Sequence, residues 1–425
     1  MDCSRRTFLL ATSGLTLRGA SSSRRSASIE FEKTPRALAE GRSLRLLTRR
    51  QHGLLGLYSH RGNLYFIQSA DLGDTWSPPQ QVNSQSGEVS DHGENSAFLL
   101  TTAEENILYA IWNCKDPSSS SGSHLKFSRS SAMRPEWSPP VIINDHQQPV
   151  SHSFQGAAVG PEGEIVVAWL DGRERPEMGA HHGHTGSTAT LYVSVSRDQG
   201  RSWSRSIQVA DQVCPCCRAA VAFTGGRIHV SWRGVDEGDV RDIYVASSAD
   251  GGQSWSSPVP VARDGWRIKG CPHVGAAMAT FGGHLYIAWF TEAGDQPAIY
   301  LSRSSDGGRS FATKQLVSGG AVDPTHPFLV ADEKRLVVVF QARASKRGGD
   351  SWGPMRVFYR ELTAAGLSPL MALPAGQGPA SYPSAALGLS GRTFISWTET
   401  DKQGTSKVVL LRGRSSRITT RPAES

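Results

Sequence analysis

The sequence predicts an all-β fold, a β-propeller of four-stranded blades, on three observations. Short strands rich in β-branched and aromatic residues recur along the chain, no amphipathic stretch with a 3.6-residue period follows residue 45, and one turn motif returns in register four times.

The strands set the count. Residues 54–58, 108–112, 165–169, 228–232, 285–289, 336–340 and 393–397 are apolar runs, all seven ending in Trp, Tyr or Phe, in a chain punctuated by Gly, Pro and Ser. Seven such strands after residue 40 give a unit of about 55 residues, close to the four-strand repeat of a propeller blade. Seven blades is the favoured arrangement and six the alternative.

The turns set the register. Residues 69–76, 196–203, 248–255 and 304–311 all fit S-x-D-x-G-x-[ST]-[WF], and residues 130–137 keep the first Ser and the Trp, with Ala132 and Arg134 where Asp and Gly belong. An Asp accepts hydrogen bonds inside a tight turn, a Gly allows positive φ, and an aromatic packs between neighbouring sheets. These aspartates read as structural.

Composition excludes several function classes. The chain has 425 residues, 38% hydrophobic and 20% charged, enough to bury a large core, and its apolar runs fall short of the roughly 18 to 20 residues that a spanning helix needs. The net charge of +7 is concentrated at the start, where Arg5, Arg6, Arg18, Arg24 and Arg25 face only Asp2. The body is nearly neutral and shows no basic tract with interleaved aromatics, which argues against a nucleic-acid partner. The run Ser4-Arg5-Arg6-Thr7-Phe8-Leu9-Leu10 resembles a twin-arginine export signal. The expected organisation is therefore an export signal at 1–27, a linker or first-strand lead-in at 28–42, the propeller at 43–415 and a tail at 416–425. The expected location is periplasmic or extracellular, and the expected state a monomer.

The clasp-like turns resemble the Asp-boxes, or BNR repeats, of the sialidase (neuraminidase) superfamily, across essentially residues 43–412. The run from Cys214 through Trp266 to Cys271 and Trp289 is most similar to exported sialidase-like proteins. The resemblance implies a glycoside hydrolase acting on sialylated or other acidic glycans. Such chemistry uses three arginines for the substrate carboxylate, a Tyr nucleophile made more reactive by a Glu, and an acid/base Asp. Tyr382, in Ala380-Ser381-Tyr382-Pro383-Ser384, resembles the nucleophile position of a late blade. Arg218 begins an inner strand, and Arg173, Arg233 and Arg343 follow second strands; these four are the candidate substrate-binding arginines. Asp171, Asp236 and Glu292, with Glu399, follow second strands and are the candidate acids. The early Phe/Tyr-Arg-Ile-Pro of the family is absent, with Gly41-Arg42-Ser43-Leu44 in its region.

In a propeller the innermost strands ring the axis and their leading ends open onto one face. There the sequence places Glu94 and Asn95, His152 and Gln155, Cys214 to Arg218, Cys271 and His273, Asp323 and His326, and Tyr382 and Ser384. The pairs Gly225-Gly226 and Gly282-Gly283 are offset by 57 residues, and so are Cys214-Pro215 and Cys271-Pro272. That register sets Cys216 opposite His273. Cys214, Cys216, Cys217 and Cys271, with His273 and His326, are candidate ligands for copper or zinc; disulfides linking blades, or free thiols, are the other readings of the same residues. The His181, His182 and His184 loop is a further candidate metal-binding segment. Two function classes remain open: an acidic-glycan hydrolase, and a non-catalytic metal- or ligand-binding propeller. The expected partner is a carbohydrate or another small molecule.

Overall fold

A computed structural model describes residues 29–49, 53–119, 122–146, 148–174, 188–344 and 353–415. The export-like segment, the C-terminal tail and the His181 to His184 loop lie outside the described residues.

The described chain forms seven antiparallel sheets arranged as a seven-bladed propeller, with two short 3-10 turns, Gly93–Asn95 and Leu389–Gly391, as its only helical elements. The first blade runs Arg42–Arg49, Gly53–His60, Asn63–Ser69 and Gln80–Gln81, from the axis outward. The innermost strands of the next five blades are Phe98–Thr101, His152–Val159, Ala220–Thr224, Ala277–Phe281 and Val322–Ala331. The seventh blade is built from Ala380–Gly388, Arg392–Thr400 and Ser406–Ser415, and the N-terminal strands Ile29–Phe31 and Arg36–Glu40 pair with the last of these. Both ends of the described chain thus meet in one sheet. That pairing covers an edge that would otherwise be open.

The core is divided among the blades. Seven separate apolar clusters occupy the seven gaps between neighbouring sheets. The alternating pattern explains this: each second strand is buried on both faces, as in Ile165–Asp171, so one set of side chains faces the preceding blade and the other the next.

The S-x-D-x-G-x-[ST]-[WF] turns close the third strand onto the fourth, on the face opposite the leading ends of the inner strands. In the third blade Asp198 Oδ1 accepts from Ser196 Oγ at 2.9 Å and Ser202 N at 2.9 Å, and Oδ2 accepts from Ser202 Oγ at 2.6 Å. Gly200 N donates back to Ser196 Oγ at 2.8 Å. Gly200 has φ 80°, and a Cβ there would lie 2.1 Å from the Phe127 ring, so only glycine suits the site. The Trp that follows is levered against the preceding blade, with Trp203 edge-on to Phe127 at 5.4 Å and Trp137 edge-on to Phe66 at 5.5 Å.

Two outcomes follow. Trp203→Ala removes a wedge between the second and third blades and is expected to cost about 3–5 kcal/mol, measured by denaturant unfolding. Hydrogen bonds from Thr75, Ser202 and Ser310 hold the Asp71, Asp198 and Asp306 carboxyls down to about 2. Folded-state carboxyls that are stronger acids than unfolded ones stabilise fully above the ordinary carboxylate range and lose that contribution as pH falls towards 2. The melting temperature should therefore fall on acidification below about pH 4, and Asp198→Asn should flatten that acid limb in calorimetry.

Candidate functional site

The inner strands do not begin as regular β structure. Ser43, Phe154, His326 and Tyr382 adopt left-handed backbone, with φ between 49° and 58°, where the pairing of the inner strand with the second strand slips. His273, at the corresponding place in the fifth blade, has φ 54°. Each slip is a bulge that takes a side chain out of the ladder, at a backbone cost of order 1–3 kcal/mol per residue: His326 and Tyr382 enter an axial cavity, whereas Phe154 packs in the apolar cluster between the third and fourth blades. Five non-glycine residues are held this way at the leading ends of inner strands.

His326 and Tyr382 line the mouth of this axial cavity, whose volume is about 400 Å³. Its walls are apolar, including Leu99, Val221, Met278 and Phe328, whereas its rim carries Arg45, Glu94, Arg218, His326 and Tyr382. Gly275 permits the blades to close here: a Cβ on it would sit 2.4 Å from Arg218 O, and its own N–H donates to Glu94 Oε2 at 2.9 Å. Gly93 plays the same part for Tyr382, whose hydroxyl would lie 2.8 Å from a Cβ at that position.

The rim is one electrostatic unit. Arg218 donates from Nε to Glu94 O at 2.6 Å and from Nη2 to Ser96 O and Oγ, both at 2.8 Å, and lies over the Phe98 ring at 5.0 Å. Arg45 donates from Nη2 to Ser96 Oγ at 2.8 Å, and its Nε is buried without a partner. Burial, and then the Arg218 charge, bring the Arg45 guanidinium down to about 9, so it remains a cation at neutral pH. Asp91 accepts from Ser43 Oγ at 2.9 Å, and burial raises its carboxyl above the ordinary value. His326 Nε2 lies 3.6 Å from Glu94 Oε1, and its ring stands edge-on to Tyr382 with centroids 4.6 Å apart. Burial lowers the His326 imidazole and raises the Tyr382 phenol, which leaves both neutral near pH 7. Tyr382 N donates to Gln341 Oε1 at 2.7 Å, fixing the bulge.

Of the residues read from the sequence, Tyr382, Arg218, His326 and Glu94 come together at the mouth. Arg45 joins them, with Asp91 adjacent through Ser43, and both were missed, although Arg45 follows Ser43 by two residues as Arg218 follows Cys216. Arg173, Arg233, Arg343, Asp171, Asp236 and Glu292 stand elsewhere, because second strands lie one strand spacing or more off the axis. Asp171 is held in the third blade by Trp169 Nε1 at 2.8 Å and Arg173 Nη2 at 2.8 Å. Arg343 pairs with Asp323 at 3.0 Å, and Asp236 accepts from Tyr244 Oη at 2.5 Å. Glu292 sits in the turn after His284–Thr291, where its carbonyl accepts from Asp295 N at 3.1 Å. Glu399 accepts from Trp397 Nε1 at 2.8 Å and Gln377 N at 2.9 Å.

Arg233 is buried behind the mouth, its guanidinium donating to the carbonyls of Val274, Arg241 and Phe290. Beside it lie Cys214, Cys216 and Cys217, whose ligating atoms fall within 4.8 Å of one another, and the half-buried Cys271 packs against them. His326 faces Glu94 and Tyr382, and among the described residues the group close enough to share one ion consists of cysteines.

The sequence matches no family model and no curated protein. Solved structures of the same fold do match. A protein of unknown function from Dyadobacter fermentans DSM 18053 is 16% identical, with 91% of this chain and 99% of that chain covered and a TM-score of 0.53. A PL25 ulvan lyase bound to -[GlcA(1-4)Rha3S]- is 12% identical, covering 89% and 95%, with a TM-score of 0.56. An α-L-arabinanase of Penicillium chrysogenum complexed with arabinobiose is 12% identical, covering 74% and 92%, with a TM-score of 0.50. At these identities the likeness shows the propeller fold.

The rim predicts a directed titration. Glu94 raises the His326 pKa while burial lowers it, so Glu94→Gln should move the His326 transition to still lower pH, read from the imidazole signals by NMR. An upward movement would contradict the assigned pairing.

Proposed function

We propose that the axial mouth is the active site of an enzyme that acts on carboxylate-bearing glycans. The observation that carries this reading is the convergence of two half-buried arginines, one with an unpaired Nε, with Tyr382, His326 and Glu94 around one cavity, and with Asp91 adjacent through Ser43. A guanidinium with an unpartnered nitrogen, beside a second cation, favours an anionic ligand, and a planar carboxylate matches that donor geometry. The sequence resemblance to sialidases and the sugar ligands named for two structures of the same fold agree with a glycan, without naming the sugar.

In the favoured mechanism Arg45 and Arg218 hold the substrate carboxylate. The Tyr382 oxygen attacks the anomeric carbon as its proton passes to Glu94, and Asp91, whose pKa burial raises, serves as the acid that gives a proton to the departing glycosidic oxygen. Water then displaces Tyr382 and restores both protonation states. This is glycoside hydrolysis through a covalent intermediate, with a Tyr in place of the usual carboxylate nucleophile.

One observation favours a second reading. Neutral His326 and neutral Tyr382 stand in contact with their pKa values pushed in opposite directions, the pattern of a base and an acid. With Arg45 and Arg218 neutralising a uronate, His326 would take the proton beside the carboxylate and Tyr382 would protonate the leaving oxygen, giving an unsaturated sugar by elimination.

Incubation with a fluorogenic sialoside and with uronate-containing polysaccharides distinguishes the two. Hydrolysis yields a saturated reducing end, and elimination yields the ultraviolet absorbance of an unsaturated uronate. Tyr382→Phe should lower either activity by about 10²–10⁴-fold while leaving the melting temperature unchanged. Full activity of that variant on any acidic glycan would overturn the assignment.

A further inference from the structure

We propose that Cys214, Cys216, Cys217 and Cys271 bind one zinc ion as four thiolates between the fourth and fifth blades. The three buried sulfurs form a nearly equilateral triangle, with Cys214 Sγ 3.7 Å from Cys216 Sγ and 3.6 Å from Cys217 Sγ, and 3.9 Å between the latter two. A tetrahedral ion with metal–sulfur bonds of about 2.3 Å has sulfur–sulfur edges of about 3.8 Å. The observed triangle is one face of that tetrahedron. Cys271 packs against this cluster, outside the three sulfurs that fall within 4.8 Å of one another, and is the further described thiol at hand to complete the tetrahedron. A disulfide would instead bring one pair to about 2.0 Å and leave the others apart, whereas here no pair is singled out.

Charge supplies an independent argument. Arg241 donates from Nη1 to Cys214 Sγ at 3.0 Å and from Nε to Ile268 O, and Arg233 donates to carbonyls alone. Both residues are 1% exposed, and neither pairs with a carboxylate among the described residues. Two buried cations whose hydrogen-bond acceptors are carbonyls and a thiol are costly, even with Trp266 stacked on Arg233 at 5.1 Å. Four thiolates around a divalent ion carry a net charge of −2, which two guanidinium groups neutralise. Neutral thiols or disulfides leave both cations uncompensated. An oxygen-preferring cation such as magnesium or calcium does not suit four sulfurs, and a closed set of four protein ligands marks a structural site.

The position gives the ion a task. Cys217 precedes Arg218, and Cys271 lies four residues before Gly275, whose N–H holds Glu94. The loops that lead the fourth and fifth inner strands therefore share one anchor, and that anchor sets the depth of Arg218 and of the Glu94 carboxylate at the mouth.

The test uses the full chain purified without chelator. Elemental analysis should find one zinc per chain. Alkylation under denaturing, non-reducing conditions should modify four more of the six cysteines after chelator than before it. Cys271→Ser and Cys216→Ser should lower metal content at least tenfold, and Cys114→Ser, in the core between the first two blades, should leave it unchanged. Should the ligand variants fail to fold, cobalt added to the chelator-stripped wild-type chain provides the second measurement, with the intense visible bands of a tetrahedral thiolate site expected. A Cys214 to Cys271 disulfide in peptide mapping would overturn the proposal. So would a folded, metal-free chain whose cysteines alkylate fully without chelator, or cobalt spectra lacking those bands.

Discussion

A four-stranded antiparallel sheet with apolar side chains on both faces cannot bury itself, so every blade in this protein depends on its two neighbours. The seven apolar clusters lie in the seven gaps and none lies within a blade, which makes closure of the ring a condition for any one blade to be stable. Closure is completed by Ile29–Phe31 and Arg36–Glu40 on the last sheet, and Phe31 stacks edge-on to Tyr359 at 5.1 Å in the gap before it. The same rigidity allows left-handed residues at the start of the inner strands. Such strain persists only where the surroundings over-determine the backbone.

Much of this was legible in the sequence. The apolar second strands and the Ser/Asp/Gly/aromatic turns are local patterns with fixed spacing, and they translate directly into blade number and register. The mouth was legible where a side chain leads an inner strand, as with Glu94, Arg218, His326 and Tyr382. It was less so where a bulge shifts the register: Ser43 adopts φ 58°, and the frame that would have aligned Arg45 with Arg218 is offset there. Asp91 precedes the Gly93–Asn95 turn and carries no periodic signal of its own. The residues following second strands misled for a geometric reason, since those strands stand off the axis, and Asp171 and Glu399 are occupied by the indoles of Trp169 and Trp397 two positions earlier. The cysteines were brought together by the 57-residue offset, but spacing carries no sulfur–sulfur distance, so it left disulfides, a metal and free thiols open.

Electrostatics links the two ends of this account. Positive charge at the rim is concentrated on Arg45 and Arg218, which disfavour each other and are offset only in part by Asp91 and Glu94. Behind them, Arg233 and Arg241 face sulfur rather than carboxylate. A thiolate-bound cation would neutralise the inner pair, leaving the outer pair to an incoming anion. The polar cluster is thus set on a rigid support, with apolar walls beneath it that exclude water and strengthen each charge interaction.

The central claim is that the mouth recognises a carboxylate through Arg45 and Arg218. Calorimetric titration of a carboxylate sugar against its methyl ester, on the wild-type chain and on Arg45→Gln, tests it most directly. The wild-type chain is expected to bind the acid at least tenfold more tightly than the ester, and Arg45→Gln to remove the difference. Equal affinity for acid and ester in the wild-type chain, or an undiminished preference in Arg45→Gln, would contradict it.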